Sequence, residues 1–114
     1  IHCPLTVNTA NLIDTKALSK MKRQAILINT ARGGIVDEIA LAQALKSRRL
    51  GGAGIDVLCD EPPTKGSPLL ASDIPNLIVT PHIAWASRDA RQRLIEQVAE
   101  NIRSYLNGEL RNSV

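Results

Sequence analysis

Three apolar residues, Ile26-Leu27-Ile28, are followed at once by Asn29-Thr30-Ala31-Arg32-Gly33-Gly34, and this abrupt change constrains the chain more than any other feature. The run is too short for a helix and rich in β-branched side chains, so it predicts a strand buried on both faces, as in a parallel sheet. Gly33-Gly34 lets the backbone turn sharply, and Asp37 is placed to cap a helix beginning at Glu38. In an open parallel sheet, the residues just past a strand's carboxyl end line the ligand crevice. Arg32 stands there with a flat fork of donors suited to a carboxylate or a phosphate. From this stretch alone, a surface arginine in an ordinary loop is the simpler reading.

The rest of the chain repeats the pattern. Ile1-His2-Cys3 reads as the tail of a strand stopped by Pro4, and Asp14 or Thr15 can cap a short helix running to Met21. From Glu38 to about Arg48, Ala40, Leu41, Ala44 and Leu45 recur at helical spacing, with Gly51 placed as the helix stop. Ala53 to Leu58 predicts a third strand. Pro62, Pro63, Gly66, Pro68 and Pro75 then exclude any long element. Leu77-Ile78-Val79 predicts a fourth strand, halted by Pro81. Ser87 can cap a long helix, striped by Ala90, Leu94, Ile95, Val98, Ala99, Ile102, Tyr105 and Leu106 and closed by Gly108. Strands alternating with crossovers predict βαβ units and a parallel sheet.

Composition narrows the functional classes. The 114 residues suit one domain or part of one, and with no Phe and 2% aromatics the core must be Leu, Ile, Val and Ala. Net charge is +3, but 14 basic residues are dispersed among 11 acidic ones, and one Trp and one Tyr make no stacking platform, so no nucleic-acid partner is expected. No apolar run approaches a bilayer span and no signal peptide opens the chain, so no membrane partner and a cytoplasmic location are expected. Cys3 and Cys59 have no metal-ligand spacing and read as free thiols. The opening at Ile1, inside an apolar segment that turns at Pro4, reads as a piece of something longer.

A parallel sheet sends the carboxyl ends of its strands to one edge, where His2, Pro4 and Thr6, then Arg32, then Asp56 and Glu61, then His82 and Trp85 would converge. A carboxylate beside an imidazole stabilises the protonated ring and orients it, so Glu61 near His82 would make an acid able to deliver a proton near neutral pH. Arg32 would seat an anionic substrate beside it. Taken alone, His82 reads equally well as a structural or surface histidine.

Asn29 to Glu38, Gly54-Ile-Asp-Val-Leu-Cys-Asp-Glu-Pro-Pro63 and Asn76-Leu-Ile-Val-Thr-Pro-His-Ile-Ala-Trp-Ala-Ser87 closely resemble the signatures of D-isomer-specific 2-hydroxyacid dehydrogenases. Order and approximate spacing also match, and the resemblance covers essentially the whole chain. It implies an α/β fold, part of a Rossmann-like doubly wound parallel sheet with a long carboxyl-terminal helix over residues 87–107. It also implies an oxidoreductase that transfers hydride between NAD or NADP and a small 2-oxo or D-2-hydroxy acid. By the same resemblance Arg32 binds the substrate carboxylate, His82 is the acid/base and Glu61 its partner. Cofactor contacts fall on His2, Cys3, Pro4, Thr30, Ala31, Arg32, Asp56, His82 and Ala84. No metal is implied. Trp85 marks substrate specificity and looks like the glycerate dehydrogenase or hydroxypyruvate reductase branch. Formate dehydrogenases of the superfamily carry glutamine where this chain has Glu61, which disfavours that chemistry.

The chain also departs from the family pattern. The Gly-x-Gly-x-x-Gly fingerprint between a strand and a helix is absent, and Gly51-Gly52-Ala53-Gly54 precedes a strand and cannot replace it. Residues 1–114 therefore read as the carboxyl-terminal portion of an NAD(P)-binding domain, without the fingerprint half or the substrate domain, from a parent expected to be a homodimer. An isolated chain of this kind is expected to be inactive. The alternative is a non-catalytic, nucleotide-sensing regulatory protein that keeps the dehydrogenase fold.

Overall fold

The computed structural model describes residues 1–113, in two compact units, Ile1–Ile83 and one beginning at Ala84. In the first unit α1 (Thr15–Lys20), β1 (Ile26–Asn29), α2 (Glu38–Lys46), β2 (Gly52–Ile55), a 3₁₀ turn (Pro68–Leu70) and β3 (Leu77–Val79) follow one another. The strands form a parallel sheet in the order β1-β2-β3. Leu27 lies beside Ala53 and Ala53 beside Leu77; one residue on, Ile28, Gly54 and Ile78 are aligned.

Side chains alternate across a pleated strand, so this register sorts the sheet into two faces. Leu27, Asn29, Ala53 and Ile55 are buried on one face, in a core completed by Leu18 of α1 and by Ala40, Leu41, Ala44 and Leu45 of α2. Ile26, Ile28 and Ile78 are exposed on the other. The expectation of a strand buried on both faces is thus corrected for β1. Its central residues alternate because α1 and α2 pack on one side of the sheet only.

The caps account for the helix boundaries. Asp14 accepts from Ala17 N at 2.7 Å and Asp37 from Ala40 N at 3.0 Å, each satisfying a first-turn amide without an intrahelical partner. Gly51 does not end α2. The helix closes at Ser47, with Arg48 in the left-handed region at φ +54°, Arg48 N bonded to Leu45 O and Arg49 N to Ala44 O. Gly51 is needed instead for a close approach, since a Cβ there would stand 2.7 Å from Gln24 O. Residues 1–3 form no strand of the sheet, although Ile1 N donates to Ile28 O at 3.0 Å, and Pro4 can extend no ladder. The third predicted strand is shorter than expected, because beyond Ile55 the chain turns into the loop that carries Glu61.

In the second unit Ser87 caps α3 (Arg88–Leu106), accepting from Ala90 N at 3.2 Å, and Gly108 at φ +73° closes it. No residue of α3 is buried, and its stripe of Leu94, Ile95, Val98 and Ile102 is exposed. Among the described residues no helix is long and apolar enough to cross a membrane.

Candidate active site

Parallel register sets the geometry of the site. Asn29, Ile55 and Val79 are aligned at the carboxyl ends of β1, β2 and β3, so Thr30, Asp56 and Thr80 leave the sheet side by side on one edge. Two inter-strand steps separate the outer exits, roughly 10 Å. The loop bearing Arg32 and the turn bearing His82 therefore start a small molecule's length apart.

Glu61 and His82 meet. His82 Nδ1 lies 2.7 Å from Glu61 Oε2, while Glu61 Oε1 accepts from Leu58 N at 2.8 Å. The hydrogen bond from His82, with the Leu58 amide second, holds the Glu61 carboxyl below the usual carboxylate range. Both side chains remain partly exposed, so the pair is open to a ligand. They line a cavity of about 460 Å³ with Leu58, Pro62, Pro63 and Thr80.

His82 adopts φ +55°, a left-handed conformation that costs a residue with a Cβ on the order of 1–2 kcal/mol. Asp56 organises the turn that holds it there. Its backbone oxygen accepts from His82 N at 2.9 Å, and its Oδ1 accepts from Ile83 N at 2.9 Å and from the Thr80 hydroxyl. Asp56 is 3% exposed, and a buried carboxylate is tolerable only when hydrogen-bonded in this way. Strain held by surrounding bonds is a feature of functional sites.

Arg32 is positioned by Asn29, the last residue of β1. Asn29 is 1% exposed, donates from Nδ2 to Arg32 O at 2.9 Å and accepts at Oδ1 from Ala31 N at 3.1 Å. The exposed Arg32 guanidinium donates through Nη1 to Ala31 O at 2.7 Å. Arg32, Thr30 and Ala31 share a second cavity, about 630 Å³, with Ile1 to Leu5, which include His2, Cys3 and Pro4. The Glu61–His82 pair thus lines one cavity and Arg32, Thr30 and Ala31 with the His2–Pro4 segment line another, while Asp56 lines neither. Ala84 and Trp85 belong to the second unit, where Trp85 is exposed.

Two residues escaped the sequence reading as organisers: Asn29, and Asp56 in its role toward the His82 turn. A signal existed for both, since a polar residue at the end of an apolar strand is buried and must find partners. Cys59 is an unpaired thiol whose pKa is pushed up, first by burial and then by the neighbouring Glu38 carboxylate, which keeps it protonated.

Residues 1–84 match the family model of the D-isomer specific 2-hydroxyacid dehydrogenase NAD-binding domain. The chain is 55% identical over 114 residues to a glycerate dehydrogenase of Methylorubrum extorquens, covering 100% of this chain and 36% of that protein. It is 44% identical over 110 residues to a glyoxylate reductase of Korarchaeum cryptofilum, covering 96% of this chain and 32% of the other. An acyclic imino acid reductase solved with NADPH and D-Arg superposes with a TM-score of 0.84 at 39% identity, over 99% of this chain and 35% of that one. A D-lactate dehydrogenase with NAD+ from Lactobacillus jensenii gives 0.76 at 34% identity, over 99% and 37%. The chain spans about a third of the length of the curated relatives it matches. With its parallel sheet, its aligned strand ends and these matches, the chain belongs to the D-isomer specific 2-hydroxyacid dehydrogenase family.

Proposed function

We propose that this chain supplies the acid/base and the carboxylate clamp of an NAD(P)-dependent D-2-hydroxyacid dehydrogenase, with hydroxypyruvate or glyoxylate as the 2-oxo acid. The observation that carries the reading is the 2.7 Å contact between Glu61 and His82 at the carboxyl edge of the sheet. Glu61 engages Nδ1 and orients the ring, and the imidazole is the group proposed to exchange a proton with the substrate oxygen. In reduction, that proton neutralises the alkoxide as it forms; in oxidation, the ring takes it back. Arg32 keeps donors beyond the one bonded to Ala31 O, and these suit the substrate carboxylate.

The cavity shared by His2, Cys3, Pro4, Thr30, Ala31 and Arg32 is within the size range of small-molecule sites, and by the family resemblance these residues would hold the nicotinamide cofactor. A nicotinamide dinucleotide held by these residues would supply the hydride. Asp56 holds the His82 turn and, by family resemblance, faces the carboxamide; Ala84 is a further cofactor contact and Trp85 a specificity residue on the same ground. Residues 1–114 are proposed as the carboxyl-terminal portion of the cofactor domain, with residues 87–107 as its long helix. A cytoplasmic location and a homodimeric holoenzyme belong to the same proposal. The preformed Glu61–His82 pair favours turnover over a purely nucleotide-sensing role, which needs no proton donor.

The test is a chimera in which this chain replaces the matching segment of the Methylorubrum extorquens glycerate dehydrogenase. Hydroxypyruvate-dependent NADH oxidation is expected, with His82→Ala lowering kcat about 10²- to 10⁴-fold. Equal turnover with and without the imidazole would overturn the assignment.

A further inference from the structure

Glu61 sits in a segment, residues 59–67, that belongs to no helix or strand and contains Pro62, Pro63 and Gly66. Its own backbone bonds close small turns, Thr64 N to Pro62 O at 2.8 Å and Gly66 N to Pro63 O at 2.9 Å. Turns of this kind shape a loop without fixing it to the sheet. A carboxylate presented from such a loop would sample many positions, and ordering it carries an entropy cost that some contact must offset.

That contact comes from the first turn of α2. Glu38 Oε1 accepts from Cys59 N at 2.7 Å, and Glu38 Oε2 accepts from the Ser67 hydroxyl at 2.6 Å. Ser67 in turn accepts from Leu69 N at 3.1 Å, which joins it to the 3₁₀ turn whose Leu69 is buried in the core. We propose that Glu38 is a positioning residue, one carboxylate that fastens both ends of the 59–67 segment and thereby holds Glu61 against His82. Its consequence for turnover rests on the dehydrogenase reading above, whereas the clamp itself does not.

A negative charge anywhere in the first turn of α2 would favour the helix dipole, so stability alone does not require this arrangement. Bridging two groups at opposite ends of a loop does require it, because each oxygen has its own donor. Glu61, held below the usual range by His82 and Leu58 N, depends on the loop that Glu38 secures.

The experiment follows the Glu61 carboxyl by ¹³C NMR titration, and the Leu58 and Cys59 amides by hydrogen exchange, in the 114-residue chain and its Glu38→Asp, Glu38→Ala and Ser67→Ala variants. Glu38→Asp keeps the charge in the first turn but is one methylene too short to reach both donors. The clamp predicts that Glu61 titrates higher in all three variants, least in Ser67→Ala, with faster exchange at both amides. A helix-stabilising role predicts wild-type behaviour for Glu38→Asp, and that result in a folded chain would overturn the proposal. Should Glu38→Ala fail to fold, Glu38→Asp and Ser67→Ala still decide the matter. In the chimera, Glu38→Asp is expected to lower kcat about 10- to 100-fold, as small misplacements of a catalytic group do. KM for the 2-oxo acid is expected to stay within about twofold, because Arg32 is untouched. If the unsubstituted chimera turns over no 2-oxo acid, the dehydrogenase reading fails while the titration still reports on Glu38.

Discussion

Glu61 has both oxygens engaged, one by an imidazole and one by a backbone amide, and this fixes the sign of its pH dependence. Its folded-state pKa lies below the ordinary 4.5, chiefly through the His82 hydrogen bond. A carboxyl depressed on folding contributes stability that is fully present above the ordinary value and lost as pH falls through the depressed one. Asp73, lowered by its bond to Lys46, acts in the same acid window. Glu61→Gln should therefore flatten, but not abolish, the fall in urea midpoint below pH 4.5, and an unchanged slope would contradict the pairing. The effect will be small, since both partners are more than a third exposed and water screens them. Arg32 is a matter of shape more than charge. Arg32→Lys keeps the cation and loses the fork, so kcat/KM of the chimera for hydroxypyruvate should fall about 10- to 100-fold, the worth of one charge-assisted hydrogen bond. A wild-type value would remove Arg32 from the substrate carboxylate.

At the scale of elements, the site depends on where loops are pinned. A Cβ on Gly33 would stand 1.9 Å from Leu58 O, so the loop after β1 and the segment leading to Glu61 touch backbone to backbone, with room only for glycine. Gly33→Ala should cost about 1–3 kcal/mol, the usual penalty for overpacking. Asp37→Ala removes the cap of α2 and should cost about 1 kcal/mol. Urea denaturation of the two variants checks the order, with Gly33→Ala the less stable. These caps, and the polar residues that end each strand, were legible in the sequence because each is a local signal within a few residues. The 59–67 clamp was not, since Glu38 and Ser67 are far apart in the chain and only the packing of α2 against the 3₁₀ turn unites them. Nor was the bare face of β1 legible, because three apolar residues in a row fit one-sided or two-sided burial equally well. The convergence of Glu61 on His82 was readable only from parallel topology, which the alternation of strands and helices supplied. The place of Arg32 relative to that pair needed the register.

For the molecule as a whole, the exposed apolar surface decides behaviour in solution. In the first unit Ile26, Ile28 and Ile78 are 70%, 57% and 70% exposed on the sheet face that α1 and α2 leave uncovered. The flanking Gly52 and Gly54 add no side chains to shield them, and α3 carries its own exposed stripe. Contiguous apolar patches of this kind are uncommon on monomers and drive association. In the 114-residue chain these apolar residues stay exposed, and a second copy can cover them. Sedimentation velocity of the 114-residue chain should show concentration-dependent self-association, reduced by an Ile26→Lys/Ile78→Lys double variant. Both positions are solvent-exposed, so the substitutions should change unfolding free energy by no more than about 0.5 kcal/mol each. A strictly monomeric wild-type chain at every concentration would mean that the bare face is not sticky. Equal association of the double variant would move the contact elsewhere, with the stripe on α3 the next surface to test by Ile95→Lys.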